Sequence, residues 1–562
     1  MFSGIFLSCF AIELAKSPKS VIINIQIKLE VSLMIKRISM CLLTVTLLLS
    51  CVLPCNFSVN ADDIIHSTPG SNMELRYQLR NNDDATTDIR FVLIATEEDV
   101  IDAESASVYA TIHNEFDTES VDVDCAYRCI MVNDRILKAG EGMCFLIAKF
   151  SGIPDDTVDR VIGHFSLDSN TADVSVRQPE IDRSYVIYVD SKNGSDENDG
   201  SMDNPIENLS TAIELMNTKE KGGKIVLLDD VYSENYFSSD TKAILRPVEV
   251  DFNGHKLVAM NSPESYKVQP YLVGLDDIYV ISSQDYVKHI VYKNENGEYQ
   301  PFELVKTQDE CLSTEYTYCY SDDSDDIIVH MPKDVPLTLG DNSLLCIENN
   351  QDGLICSSEN GFLSLKNATI LGKNMAVRIT GKASCVADNC KFLFANSNGF
   401  SAQGDGTTKS VLLTDCEAAY NFNDGFNYHN QGTAVEINCV GHDNGYMNKS
   451  QSQNTNNGST AHESFEVTRI SCSYYNNQGG NVVDINSSSS RNFGCVAYNS
   501  TADVDIFNSN FAIQSDGNTR MYLYGCKAFG SVYDLSNSSP NATLAIKSTA
   551  YTTNRGNISI IE

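Results

Sequence analysis

Six cysteines recur in one local setting: Asp388-Asn389-Cys390, Thr414-Asp415-Cys416, Ile437-Asn438-Cys439, Ile470-Ser471-Cys472, Phe493-Gly494-Cys495 and Tyr524-Gly525-Cys526. They stand 26, 23, 33, 23 and 31 residues apart, the period of a solenoid whose rungs carry loops of varying length on one side. Stacked one per rung at a strand spacing of about 4.8 Å, the thiols would run through the core as small apolar side chains. Disulfide pairing is the competing account. It fits a straight row poorly, because each thiol then has two equivalent neighbours, whereas a disulfide needs one partner in a specific geometry. Four of the cysteines are followed, four or five residues on, by Asn421, Asn444, Asn477 and Asn499. That placement suits amides that satisfy the backbone at the same turn of successive rungs. The expected fold class is all-β: a right-handed parallel β-helix over residues 184–562, preceded by a small β-sandwich over 70–170.

The remaining segments fill in this frame. Residues 1–61 read as a signal-peptide region: Lys36 and Arg37 precede the apolar stretch Cys41 to Leu53, and Val59-Asn60-Ala61 offers the small residues of a cleavage site. Met34 is a possible true start, and Leu48-Leu49-Ser50-Cys51 is an imperfect lipoprotein box. The apolar run is too short to span a bilayer, so the expectation is a secreted or cell-surface protein without a membrane span. From 72 to 168 apolar residues alternate with period two, as in Met73, Leu75, Tyr77 and Leu79, which is the pattern of half-buried strands. Cys125 and Cys129 there are expected to be structural. Leu209, Ala212, Ile213 and Met216 share one face of a helix, suited to covering the open end of a stack of parallel strands. The acidic loop Gly194 to Gly200 reads as a solvated turn. Between 261 and 345 the rung pattern gives way to a β-rich insertion.

Charge narrows the partners. The 562 residues carry 40 Lys plus Arg against 75 Asp plus Glu, a net charge of -35, which would repel nucleic-acid phosphates and anionic membranes. With no Trp, 26 Tyr and 23 Phe, any stacking on sugars falls to those two residue types.

Function on a solenoid belongs to the side wall, where aligned rungs present the same position repeatedly. Asp424, Asn427 and His429 precede Cys439; His462 and Glu463 precede Cys472; Asp484 and Asn486 precede Cys495; His442 and Asp443 follow Cys439. These rungs are expected to place carboxylates, imidazoles and amides on one wall, overhung by a loop from Ser450 to Ala461. His462, His429, Glu463 and Asp484 are the candidate catalytic groups. Tyr428, Asn454, Arg469 and Asn486 are the candidate glycan contacts.

The stretch from Asp415 through Asn421-Phe422-Asn423-Asp424-Gly425-Phe426-Asn427, followed by Ile437-Asn438-Cys439-Val440 and Asn444-Gly445, resembles the calcium-site rungs of family 9 polysaccharide lyases, which are pectate lyases on a right-handed β-helix. The resemblance implies a Ca²⁺ ion held by Asn423, Asp424 and Asn427, and an extracellular polysaccharide as substrate; from the residues themselves, Asp424, Asp443 and Asp484 are a second set that could hold Ca²⁺. Two of the family's three carboxylate positions are amides here, and the segment expected to carry its catalytic lysine reads Asn457-Gly458-Ser459-Thr460-Ala461-His462. β-Elimination needs a cation to acidify the carbon beside a uronic carboxylate and a base to take its proton. His462 or His429 would serve as that base. Hydrolysis needs two carboxyl groups, one kept protonated, for which Glu463 or Asp424 with Asp484 are available. A glycan-binding adhesin on the same scaffold is the third reading.

Overall fold

The computed structural model describes residues 181–561 apart from 233–241, 260–266, 273–276, 283–288, 295, 322–325, 334–343, 347–350, 405–407, 447–455 and 516, and strand backbone between 57 and 177. The signal-peptide reading, Cys125 and Asn454 lie outside the described residues. In the N-terminal region ten strands pair into two five-stranded antiparallel sheets, among them Met73–Asn82 with Thr87–Ala95 and Val158–Leu167 with Asn170–Arg177.

From Val186 on, the chain coils into three parallel sheets, which makes the body of the protein a parallel β-helix. The first sheet has twelve strands, from Val186–Val189 to Ser559–Ile560; the second has nine, from Val231–Tyr232 to Lys527–Phe529; the third has ten, from Ala243–Ile244 to Asn554–Arg555. Each rung visits them in turn, as in Thr408–Thr414, Glu417–Ala419 and Phe426–Tyr428. Parallel crossovers take the right-handed sense that strand twist imposes. Helix Leu209–Asn217 buries Leu209, Ala212, Ile213 and Met216 against the first turn's apolar interior, the face expected from their spacing.

The corner between first and second sheets explains the cysteine repeat. Asn389, Asp415, Asn438, Ser471, Gly494 and Gly525 all have positive φ, between 51° and 61°. Asn, Asp and Gly tolerate that left-handed conformation best. The cysteine that follows each turns inward, and all six are free and buried. Each Sγ lies 3.1–3.6 Å from the carbonyl two residues before it and 3.2–3.6 Å from a carbonyl of the preceding rung. The thiols thus form the expected row. Thr549 extends it: its Oγ1 donates to Lys547 O at 3.2 Å and Leu523 O at 3.1 Å, the same pair of acceptors with oxygen in place of sulfur.

A second ladder braces the corner between second and third sheets. Asn444 Oδ1 accepts from both the backbone N and the Nδ2 of Asn421, and Asn477 Oδ1 does the same for Asn444. Asn499 does not continue this ladder. It occupies the left-handed corner position shared by Asp443 and Asn476, and the next residue, Ser500, takes the ladder place, with Oγ donating to Gly479 O.

The insertion interrupts a turn from second to third sheet, between Lys256–Ala259 and Leu354–Cys356. It folds into a five-stranded and a three-stranded sheet with a short helix, Gln308–Ser313. Its His289 leans on later turns of that same kind, with Nδ1 2.9 Å from Tyr446 Oη and Nε2 3.2 Å from Ala395 O.

Candidate functional site

The sequence-predicted site residues separate into four places. Three of them fall inside the solenoid. Alternation along the first sheet sends Ala434 and Val467 into the apolar core, so Glu436 and Arg469, two residues further on and paired in register, also point inward. Arg469 and Asp484 are fully buried, and so is Tyr428, which packs in the core. Asp484 and Arg469 therefore do not belong to a wall site, nor does Tyr428 offer a surface to a sugar. Arg469 Nη1 lies 3.5 Å from Asp484 Oδ1 and its Nε 3.7 Å from Glu436 Oε1. Glu436 also accepts from Tyr474 Oη at 2.5 Å and Ser459 Oγ at 2.7 Å, while Asp484 accepts from Ser490 Oγ. Burial pushes both carboxyl pKa values up, against the opposing pull of the guanidinium. Glu436, Tyr474, Ser490 and Asn492 were missed as polar core residues, although strand parity with Ala434 points Glu436 inward.

The proposed calcium ligands also divide. Asp424 and Asn427 do meet, with Asn427 Nδ2 donating to Asp424 Oδ2 at 2.5 Å, but Asp424 Oδ1 is already capping the backbone N of Asn457 on the next rung at 2.8 Å. Asn423 donates to Ser397 Oγ at 3.3 Å. Asp424 is 3% exposed, and burial pushes its carboxyl up to about 7. Asp443 stands elsewhere, at the corner of the second sheet, where His442 Nδ1 lies 2.7 Å from its Oδ2 and His442 Nε2 lies 3.3 Å from Glu417 Oε1. The four do not form one ligand set.

On that outer second-sheet face His442, Tyr475, Tyr498 and Phe529 stack in register, with centroids 4.8–5.1 Å apart and planes within 13°. Both faces of Tyr475 and Tyr498 are covered by their neighbours, so these rings offer no face for stacking a sugar; Phe529, 47% exposed, ends the row.

The fourth place is the corner from third to first sheet, and here the structure gathers three candidates. His429 and His462 follow strands Phe426–Tyr428 and Ser459–Ala461, which pair in register. Their rings stack with centroids 3.6 Å apart at 19°. Glu463 Oε2 accepts from the backbone N of Asn430 at 2.8 Å and lies 3.4 Å from His429 Nδ1. One ligand atom from each of the three residues lies within 4.8 Å of the others. The site reaches the surface, with the His429 and Glu463 side chains 30% and 39% exposed. Burial holds both imidazoles below the usual histidine range, partly countered at His429 by Glu463; His462 is pushed down to about 3, with His429 contributing. Both rings are therefore neutral at pH 7. His462 Nε2 is buried without a hydrogen-bond partner. Glu463 has φ 53°, a left-handed conformation costing roughly 1–2 kcal/mol for a residue with a Cβ. Asn486 holds the matching corner position one rung on, with φ 58° and a hydrogen bond from Ser515 Oγ to its Oδ1; it is an exposed turn residue.

No protein-family profile matches the sequence. No curated protein matches it. Among solved structures, it is similar to one described as a glycoside hydrolase, with TM-score 0.40, 8% identity, 67% of this chain and 96% of that one covered. A GH136 lacto-N-biosidase from Eubacterium ramulus gives TM-score 0.23 and 10% identity over 67% of this chain and 68% of that one. The catalytic domain of a GH87 α-1,3-glucanase in complex with nigerose gives TM-score 0.21 and 9% identity over 90% and 99%. Among the described residues no helix is long and apolar enough to cross a membrane.

Proposed function

We propose that the protein is a secreted, polysaccharide-active β-helix whose reactive centre is the His429–His462–Glu463 corner, and that it cleaves an extracellular glycan by β-elimination. The observation that supports this reading is the gathering of two neutral imidazoles and a carboxylate from adjacent rungs at a half-exposed position. His429 is the base: its lone pair is free of a proton at pH 7, and the adjacent Glu463 carboxylate stabilises the imidazolium formed when it takes the proton beside a uronic carboxylate. The electron pair released forms the C4–C5 double bond as the C4–O glycosidic bond breaks, and the departing sugar oxygen takes a proton from water. A positioned base of this kind contributes about 10²–10⁴-fold in rate. The net charge of -35 disfavours a free polyanion, so elimination calls for a cation-bridged uronate, whereas a neutral glycan would suit hydrolysis. Ca²⁺ is the bridging ion that the lyase resemblance implies.

Hydrolysis is the second reading. It needs two carboxyl groups flanking the scissile bond, and Glu463 is the one that the corner offers. Incubating the protein with polygalacturonate and a panel of neutral glycans, with Ca²⁺ or chelator, separates the two. Unsaturated ends mark elimination, and new reducing ends without unsaturation mark hydrolysis. His429→Ala is expected to lower the rate at least 100-fold, the scale of a lost general base. An unchanged rate in His429→Ala and Glu463→Gln would place the chemistry elsewhere, and retention without cleavage would make the protein an adhesin.

A further inference from the structure

The corner just described holds more than a base. Its stack runs Gln403, His429, His462, Ile485 and Gln514, each with its backbone N bonded to a carbonyl of the preceding rung. Glutamine and isoleucine serve that fold position equally well, so the turn itself does not call for imidazole. Two imidazoles nevertheless fall on consecutive rungs, beside a carboxylate that occupies a strained backbone position. The separation of His429 Nδ1 from Glu463 Oε2, 3.4 Å, matches the edge of a tetrahedron of ligands about 2.0–2.1 Å from a central ion, which is about 3.3–3.4 Å.

We infer that His429, His462 and Glu463 form a binding site for a first-row divalent transition-metal ion of the Zn²⁺ or Co²⁺ class, an inference that rests on this corner being the reactive centre. The donor set decides the class. Two neutral nitrogens and one carboxylate suit a borderline ion, whereas Ca²⁺ takes six to eight oxygens. Three protein ligands leave a coordination position open toward solvent, the arrangement of catalytic rather than structural zinc. The buried, unpartnered His462 Nε2 gains a partner when the ion enters. Rings stacked 3.6 Å apart present parallel lone pairs, so binding swings them apart, His429 moving on its exposed side. Proton and ion compete for the same lone pairs: the imidazoles are base in the ion-free protein and ligands in the loaded one.

The test is equilibrium dialysis of the full-length protein against Zn²⁺, without glycan, together with the visible absorption spectrum of the Co²⁺ form. A stoichiometric site is expected, with the intense bands of four-coordinate cobalt, weakened at least 10-fold by His462→Ala and by Glu463→Gln. A second cluster, Asp229, Asp230 and His255, also brings three ligand atoms within 4.8 Å, so His255→Ala is measured in parallel and is expected to leave the tight site intact. Should His462→Ala fail to fold, the wild-type cobalt spectrum and Glu463→Gln still decide. Only weak six-coordinate bands, unchanged affinity in the corner variants, or loss in His255→Ala overturns the inference. Glycan retention and cleavage, assayed separately with Ca²⁺ and without Zn²⁺ or Co²⁺, report on the functional reading independently: transition-metal binding can fail while cleavage persists.

Discussion

Two groups of ionisable side chains occupy neighbouring rungs of this β-helix and meet opposite fates. Glu436, Arg469 and Asp484 lie inside the solenoid, fully buried and paired with one another. His429, His462 and Glu463 lie at an outer corner, half exposed, with a ring nitrogen unpartnered. The inner group pairs its charges internally, with Arg469 Nη2 left unpartnered inside the core, and the outer group keeps donor capacity at the surface for something that is not protein. Proximity in sequence therefore does not separate structural polar residues from reactive ones; the direction of each side chain through the strand does.

The largest effect expected from testing that contrast is inside. Arg469→Met leaves two carboxyl groups without a cation and should cost about 3–5 kcal/mol of stability, read by thermal or denaturant unfolding. Replacing Glu436, Arg469 and Asp484 together by apolar residues of similar volume should recover most of that loss, because a buried ion cluster barely outweighs its own desolvation. A triple variant as unstable as the single one would mean that the charges do more than satisfy each other. At the corner, Glu463→Gln should change stability by less than about 0.5 kcal/mol, as surface substitutions do, while abolishing cleavage in the glycan assay. A loss comparable to that of Arg469→Met would erase the distinction.

A third ionic group lies between these extremes and predicts a pH window. The hydrogen bond from His442 holds Glu417 down to about 2. Burial works against the His442 cation, yet its bonds to Asp443 and Glu417 push it up to about 9. The histidine's contribution is full below its ordinary value of 6.5 and is lost as pH rises through 9; the carboxylate's is full above 4.5 and is lost as pH falls toward 2. Melting temperature should therefore fall on both sides of a plateau from about pH 4.5 to 6.5, and Glu417→Gln should flatten both flanks. The smallest effects belong to the thiol row. Cys472→Ala should cost about 1 kcal/mol, the scale of one buried heavy atom, and Thr549→Cys should be neutral within about 0.5 kcal/mol.

The architecture was legible because the thiol row repeats a physical requirement, a small inward side chain after a left-handed corner, that every rung must meet. The amide ladder was legible only to within one residue. Asn499 has the right identity at the wrong place, since both the corner and the ladder positions favour short polar side chains, and Ser500 fills the latter. The candidate site was half legible. His429, His462 and Glu463 are together as their spacing suggests, whereas Arg469, Asp484 and Tyr428 turn inward although their polarity suggests the wall. Parity with the apolar residues Ala434 and Val467 would have turned Arg469 inward. Asp443 stands apart for a different reason: it lies beyond Cys439, on the other side of a corner, where the chain has already turned onto another face.

The unpaired thiols carry a consequence for how the chain matures. Sulfhydryls that never pair in the finished protein are open to wrong partners while the coil is incomplete, and any oxidant present then competes with closure of each rung. Assembly is in that sense a race, won when neighbouring turns seal each sulfur away before a second one finds it. Thr549, sitting in the row with no sulfur at all, indicates how readily evolution could shorten the odds.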